Sequence, residues 1–283
     1  MNAIRLSLVA AIVALGLFVL QALAITGGTV DEKNTYSNVG AVVVQMPGEQ
    51  PWVFCSGTLI HPRVFLTAAH CTIVPQQDPS LMRYGHVSFA TDAFDSKTWH
   101  DVEVVITHPG YQPPMDPGDL GNNPHLNDVG VMILKKPVRD VPLAKLPYRG
   151  FLDDLKAAGL LREPDQGGSF FTLAGYGSSL DFPPPEYVAP DGWRRFVCGD
   201  YLDLTEAWLF FRMNPATGNG GGGYGDSGGP AFWVDDDGTP VLVGVSSRGD
   251  PNRVATDIFW RADIPQTLDF IEDVIAMVDA GLL

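Results

Sequence analysis

Basic residues are scarce in this chain: 18 Lys and Arg stand against 33 Asp and Glu over 283 residues, a formal net charge of −15. A surface of that sign repels polyanions, which argues against nucleic acid and anionic membranes as partners. Cysteine is almost missing, at 3 residues, which excludes a disulfide-dense small scaffold and a four-cysteine zinc site. His61, His86, His100, His108 and His125 show no pair at metal-ligand spacing, so neither a metal nor any other cofactor is expected. The glycine run Gly220–Gly223 lacks a following Lys-Ser/Thr, so it is no phosphate loop and reads as a mobile wall. Long apolar runs are absent apart from Leu8–Leu20, which falls short of the ~20 residues that a spanning helix needs. Arg5 precedes that run and Ala22-Leu23-Ala24 follows it, so residues 1–24 read as an export signal cleaved after Ala24. The mature chain is then expected outside the cell, where disulfides are permitted, with no stable membrane association.

What the chain does hold is glycine (31), proline (23) and many short apolar runs, the pattern of an all-β, turn-rich body. Val39–Met46, Trp52–Ile60, Val64–Leu66, Val87–Ala90, Val102–Thr107 and Val129–Leu134 read as strands sufficient for one antiparallel barrel. Phe170–Ala174, Glu206–Met213, Ala231–Val234, Val241–Ser246 and Ile258–Arg261 supply strands for a second. A Pro/Gly-rich stretch, Gln112–Pro124, reads as a rim insertion, and Phe151–Leu161 as a short helix. Leu268, Ile271, Val274, Ile275 and Val278 recur at helical spacing, so the chain ends in an amphipathic helix.

Two segments carry chemistry. Thr67-Ala68-Ala69-His70-Cys71 offers a base, and Gly225-Asp226-Ser227-Gly228-Gly229-Pro230 offers a hydroxyl in a run of small residues. A serine is a poor nucleophile until a histidine takes its proton, and small neighbours let backbone N–H groups converge on a developing oxyanion. Asp128 opens the apolar run Val129–Leu134, and the order His70, Asp128, Ser227 differs from that of other hydrolases with the same triad.

Together these segments resemble the trypsin/chymotrypsin-like serine proteases. The resemblance implies two six-stranded antiparallel β-barrels with the site between them, over about 25–136 and 165–264, and a closing helix over about 265–281. It implies Ser227 as nucleophile, His70 as general base and acid, Asp128 as the group that orients the imidazole, and Gly225 and Ser227 as oxyanion donors. It further implies a Cys55–Cys71 bridge beside the histidine. Cys198 is then left over, either an intermolecular partner or, as expected, a buried thiol. Ile25-Thr26-Gly27-Gly28 matches the family's mature terminus, whose amine pairs with the aspartate at the Asp226 position. Protein or peptide substrates and a monomer follow from the same resemblance.

The pocket departs from the family. Relatives often bear a disulfide at the Gly223 position, and trypsin-like members an aspartate at the Gly221 position, so a basic substrate side chain loses a charge-assisted partner of ~1.5–3 kcal/mol here. Asp257 aligns with another position at the pocket base and either supplies a carboxylate there or faces a backbone amide. Ser247, Arg248, Gly249 and Tyr224 fall on the remaining pocket positions, with Arg248 where relatives carry an aromatic residue. The reading is a secreted serine endopeptidase. An esterase with the same triad and a non-catalytic binding protein on the same scaffold are the alternatives.

Overall fold

A computed structural model of the chain describes residues 25–78, 83–113, 126–181, 186–214, 217–235, 238–250 and 254–283. The expected export signal and most of the Gln112–Pro124 insertion lie outside these residues. After a two-residue strand β1 (Thr29–Val30), the strands β2 (Val39–Val44), β3 (Trp52–His61), β4 (Val64–Thr67), β5 (Gly85–Ser88), β6 (Trp99–Thr107) and β7 (Gly130–Leu134) form a closed antiparallel barrel in the order β2-β3-β4-β7-β6-β5. Every residue of β2, β4 and β7 is buried. Strands covered on both faces lose the polar alternation of a half-exposed sheet, and each buried Val, Leu or Phe contributes ~1.5–3 kcal/mol.

The second barrel is built from β8 (Phe170–Gly175), β11 (Arg195–Leu204), β12 (Trp208–Arg212), β13 (Pro230–Val234), β14 (Pro240–Gly249) and β15 (Thr256–Arg261). They run in the order β11-β12-β15-β14-β13-β8, and a β11–β8 pairing closes the ring. The expected fold of two six-stranded barrels therefore holds. Between β8 and β11 a separate hairpin, β9 (Ser179–Asp181) with β10 (Glu186–Val188), pairs with neither barrel. Among the described residues the α-helices are α1 (Ala69–Gln77), α2 (Phe151–Ala157) and the expected C-terminal α3 (Pro265–Asp279).

Two expectations are corrected. The segment opening at residue 25 was assigned to the first barrel, yet β1 pairs antiparallel with β11 of the second, Thr29 opposite Phe196. Cys198 is exposed rather than buried. On β11 the buried positions alternate through Gly199 and Tyr201, so the period of two turns Cys198 to the outer face.

A buried arginine joins the barrels. Arg194 donates from Nε to Asp31 (3.0 Å) and from Nη1 to the carbonyls of Val39 (3.1 Å) and Phe89 (2.9 Å) and to the Tyr176 hydroxyl (3.0 Å). It is fully buried, so each donor needs its partner, and removal of Asp31 would strand a charge at a cost of ~3–5 kcal/mol. The contact fixes the N-terminal segment, the first barrel and the strand entering the second as one unit.

Candidate active site

His70 leaves β4 and stands in the first turn of α1. The residue before that helix, Ala68, has no side chain to cap it. Asp128 supplies the cap from a distance: its Oδ1 accepts the His70 backbone N–H at 2.9 Å, while Oδ2 lies 2.8 Å from His70 Nδ1. One carboxylate thus satisfies an orphan amide at the helix N-terminus and holds the ring. Oδ2 also accepts from the Ser247 hydroxyl at 2.6 Å. Asp128 is wholly buried, so these donors replace its water. A carboxylate at Nδ1 selects the tautomer with the proton there, which leaves Nε2 as the basic nitrogen. Asn127 sets the aim: it takes a left-handed φ of 55°, which asparagine tolerates, and its side chain donates to the Gly110 carbonyl at 2.8 Å. The Asp128 charge and burial together push the nearby Tyr111 hydroxyl pKa up, burial being the larger cause.

Ser227 comes from the second barrel, in the loop ahead of β13. Gly225 has φ +101° and Gly228 φ +84°, a region that favours glycine; a Cβ on Gly228 would also overlap Thr67 and Ser56 of the first barrel. Ser56 on β3 braces this loop: its N–H donates to the Ser227 carbonyl (2.8 Å) and its hydroxyl to the Gly225 carbonyl (2.9 Å). Ser178 clamps the next peptide, donating its N–H to the Tyr224 carbonyl (2.7 Å) and accepting the Tyr224 N–H on Oγ (2.8 Å). With the Tyr224 carbonyl held, the trans peptide turns the Gly225 N–H the opposite way. Neither Ser56 nor Ser178 was foreseen; the one available signal was a polar residue inside the buried strand Trp52–His61.

The glycine run was expected to be a mobile wall and is instead buried and pinned. Gly221 exchanges two backbone hydrogen bonds with Thr26 (3.0 and 3.1 Å). Gly222 N–H donates to Asp257 Oδ2 and Gly223 N–H to Asp226 Oδ2, each at 2.7 Å. The other Asp226 oxygen accepts Gly177 N–H at 2.7 Å. Ile25 is 1 % exposed, has φ +57°, and donates its backbone N–H to the Ser178 carbonyl at 3.2 Å. A β-branched residue at that φ is a strained outlier, held by its surroundings. Ile25 and Asp226 thus meet at one junction, through the adjacent residues Gly177 and Ser178.

His70, Ser227, Gly225, Tyr224, Ser247, Arg248 and Gly249 line one open cleft of about 670 Å³. Gly221 and Asp257 do not line it. Asp257 is fully buried and accepts the N–H groups of Gly222 and, at 3.1 Å, Ile258, so the carboxylate is engaged with backbone amides. Arg248 lies over the Trp208 ring, 5.1 Å from its centroid. Burial lowers the Arg248 pKa, and the Asp128 charge opposes that shift. Cys55 and Cys71 form the expected bridge, with Cα atoms 6.3 Å apart.

Known proteins resemble the chain over part of its length. The family model described as Trypsin matches residues 26–177, a stretch that takes in His70 and Asp128 and ends before Ser227. The chain is 26% identical over 240 residues to a CLIP domain-containing serine protease B15 of Anopheles gambiae, covering 77% of this chain and 62% of that one. It is 31% identical over 135 residues to a trypsin of Saccharopolyspora erythraea, covering 47% and 52% respectively. The chain spans about half to three fifths of the length of these curated relatives.

Proposed function

Because this chain belongs to the trypsin family of serine proteases, we propose that it is a secreted serine endopeptidase that cleaves peptide bonds through an acyl-enzyme. The observation that carries the reading is the His70–Asp128 contact in a cleft shared with Ser227 and the Gly225 amide. In this reading Ser227 Oγ attacks the substrate carbonyl while His70 Nε2 takes its proton. Asp128, buried and triply bonded, keeps the imidazole in register and stabilises the imidazolium that forms. The N–H groups of Gly225 and Ser227 receive the oxyanion, each donor being worth ~2.7–4 kcal/mol to the transition state. The imidazolium hands its proton to the leaving amine, and the same nitrogen then activates the water that hydrolyses the ester.

Activation follows from the same reading. Export would remove residues 1–24 and turn the Ile25 nitrogen from an amide into an amine, a cation next to the Asp226 carboxylate. Its support is the buried Ile25, already seated beside Ser178. Signal removal would then serve as activation, with no separate cut. No helix among the described residues is long and apolar enough to cross a membrane.

The deciding experiment compares wild type with Ser227→Ala on a diverse peptide library and with a serine-directed phosphonate. Loss of both cleavage and labelling, by several orders of magnitude, is expected in a protein that still folds. Cleavage by the variant at the wild-type rate would end the assignment.

A further inference from the structure

Exposed apolar side chains crowd the cleft that His70 and Ser227 line. Trp52 is 42% exposed, Val74 40%, Tyr187 54% and Tyr224 59%, and all four line the same cavity as His70 and Ser227, together with Phe54 and Pro190. A folded protein leaves such a patch uncovered where it receives a ligand. The rings are also ordered among themselves. Trp52 and Phe54 on β3 meet edge to face at 5.7 Å, and Tyr187 on β10 meets Tyr224 at 6.3 Å. These geometries fix the orientation of the rings while leaving faces open.

The hairpin β9–β10 gives a second, independent pointer. A two-stranded ribbon that joins neither barrel is marginal by itself. Its Tyr187 is spent on the cleft wall rather than on a core. The patch is continuous with the chemistry: Val74 lies one helical turn beyond His70 on α1, and Cys55, also on the wall, is bridged to Cys71 next to His70. Ser247–Gly249 line the cavity from β14, part of the barrel that carries Ser227. The leaving amine stays beside His70, which protonates it, whereas the acyl part stays on Ser227. None of the described lining residues outside β14 is Asp, Glu, Lys or Arg; Arg248 belongs to β14.

We infer that this surface holds the substrate segment that follows the scissile bond, and that it selects polypeptides with aromatic or large aliphatic side chains there. The inference rests on the protease reading and names its substrate class: chains cut immediately before apolar residues.

The test maps cleavage in a diverse peptide library by mass spectrometry and scores residues on both sides of each cut. New N-termini should be enriched in Phe, Tyr, Trp and Leu at their first two positions. Trp52→Ala and Tyr187→Ala should each cut that enrichment about tenfold, the equivalent of ~1.4 kcal/mol, and leave preferences on the acyl side unchanged. Flat new N-termini, or an apolar preference confined to the acyl side, would overturn the inference while the protease reading stood. Binding separates the two in the other direction. A fluorescein-labelled peptide beginning Trp-Phe should bind the Ser227→Ala protein about tenfold more tightly than its Ala-Ala counterpart, and Trp52→Ala added to that protein should erase the difference. Equal binding of the two peptides would also overturn it, and this readout needs no turnover.

Discussion

In the first barrel, His70 and Asp128 leave the ends of regular strands, and a disulfide ties the segment carrying the histidine back to β3. In the second, Ser227 sits on a loop preceded by four glycines, where no side chain is available to anchor the backbone. That loop is held by what surrounds it: Thr26 bonds Gly221, Asp257 holds the Gly222 amide, Asp226 the Gly223 amide, Ser56 the Gly225 and Ser227 carbonyls, and Ser178 the Tyr224 carbonyl. Regular structure and a covalent bond fix His70. Buried acceptors fix the loop of Ser227. An unmet buried amide costs more than a met one contributes, so the second arrangement is the more fragile and the more easily switched.

The largest expected effect tests that switch. Protein beginning at Ile25 should be fully active, and protein beginning Met-Ile25 folded but at least about 100-fold less active, because breaking a buried ion pair costs ~3–5 kcal/mol. Aminopeptidase removal of the Met should restore the rate. Equal rates in a peptidase assay would erase the contrast between the barrels.

The covalent side predicts the opposite signature. Cys55→Ser with Cys71→Ser opens a bridge between residues 16 apart in sequence. Stability read by urea unfolding should fall by ~3 kcal/mol, while the fraction still folded keeps a near wild-type rate.

A smaller effect belongs to Asp257. Asp257→Ala leaves the Gly222 amide buried without that acceptor, at ~1–3 kcal/mol, so kcat should drop alike for substrates cut after Lys, Arg, Phe or Leu. Asp257→Asn keeps a carbonyl oxygen and should recover most of the rate. A loss confined to Lys and Arg would instead mean that the carboxylate serves the pocket.

The smallest effect lies where α3 docks on the first barrel. His108 Nδ1 accepts the Gly110 N–H at 3.0 Å, Nε2 faces the Gln266 carbonyl at 3.2 Å, and the ring packs 5.0 Å from Phe270. Burial lowers its pKa from 6.5, against a smaller opposing effect of the Gln266 bond. Below pH 6.5 the unfolded chain therefore takes up a proton that the folded one declines, and stability falls with pH until the folded pKa is passed. The ring is partly exposed, so the slope is shallow. Urea midpoints between pH 7.5 and 5 should show it, and His108→Gln should flatten it.

The sequence carried the parts that follow a local rule. The apolar runs of β2, β4 and β7 and the period of α3 were readable because burial writes itself into them. That His70 meets Asp128 and shares a cleft with Ser227 was readable because their short motifs are specific. Strand β11 was missed: Arg195, Gly199, Asp200 and Asp203 interrupt its apolar pattern, and the buried Arg195 is paired with Asp191 at 2.7 Å, a partner outside the strand. Helix α1 was missed because it contains Pro75 and its cap comes from Asp128, far along the chain. Ser56 and Ser178 act through single hydrogen bonds between distant segments, which leave no periodic trace. The Asp257 alternatives stayed open for the same reason: alignment along the chain does not say which amide a carboxylate meets.

The pairing of Thr29 with Phe196 has a bearing on the order of assembly. The loop it closes contains the whole first barrel, so this contact is among the most non-local in the molecule. Such contacts form late, after their loop-closure entropy has been offset by structure already in place. The histidine half, whose strands neighbour one another in sequence, is free to fold while the chain is still emerging. The serine loop, which leans on Thr26 through Gly221, waits for the N-terminal segment to meet the second barrel. On the proposed protease reading, such a chain holds its His70–Asp128 pair before the Ser227 loop is set, and so passes through synthesis without the means to cut its neighbours.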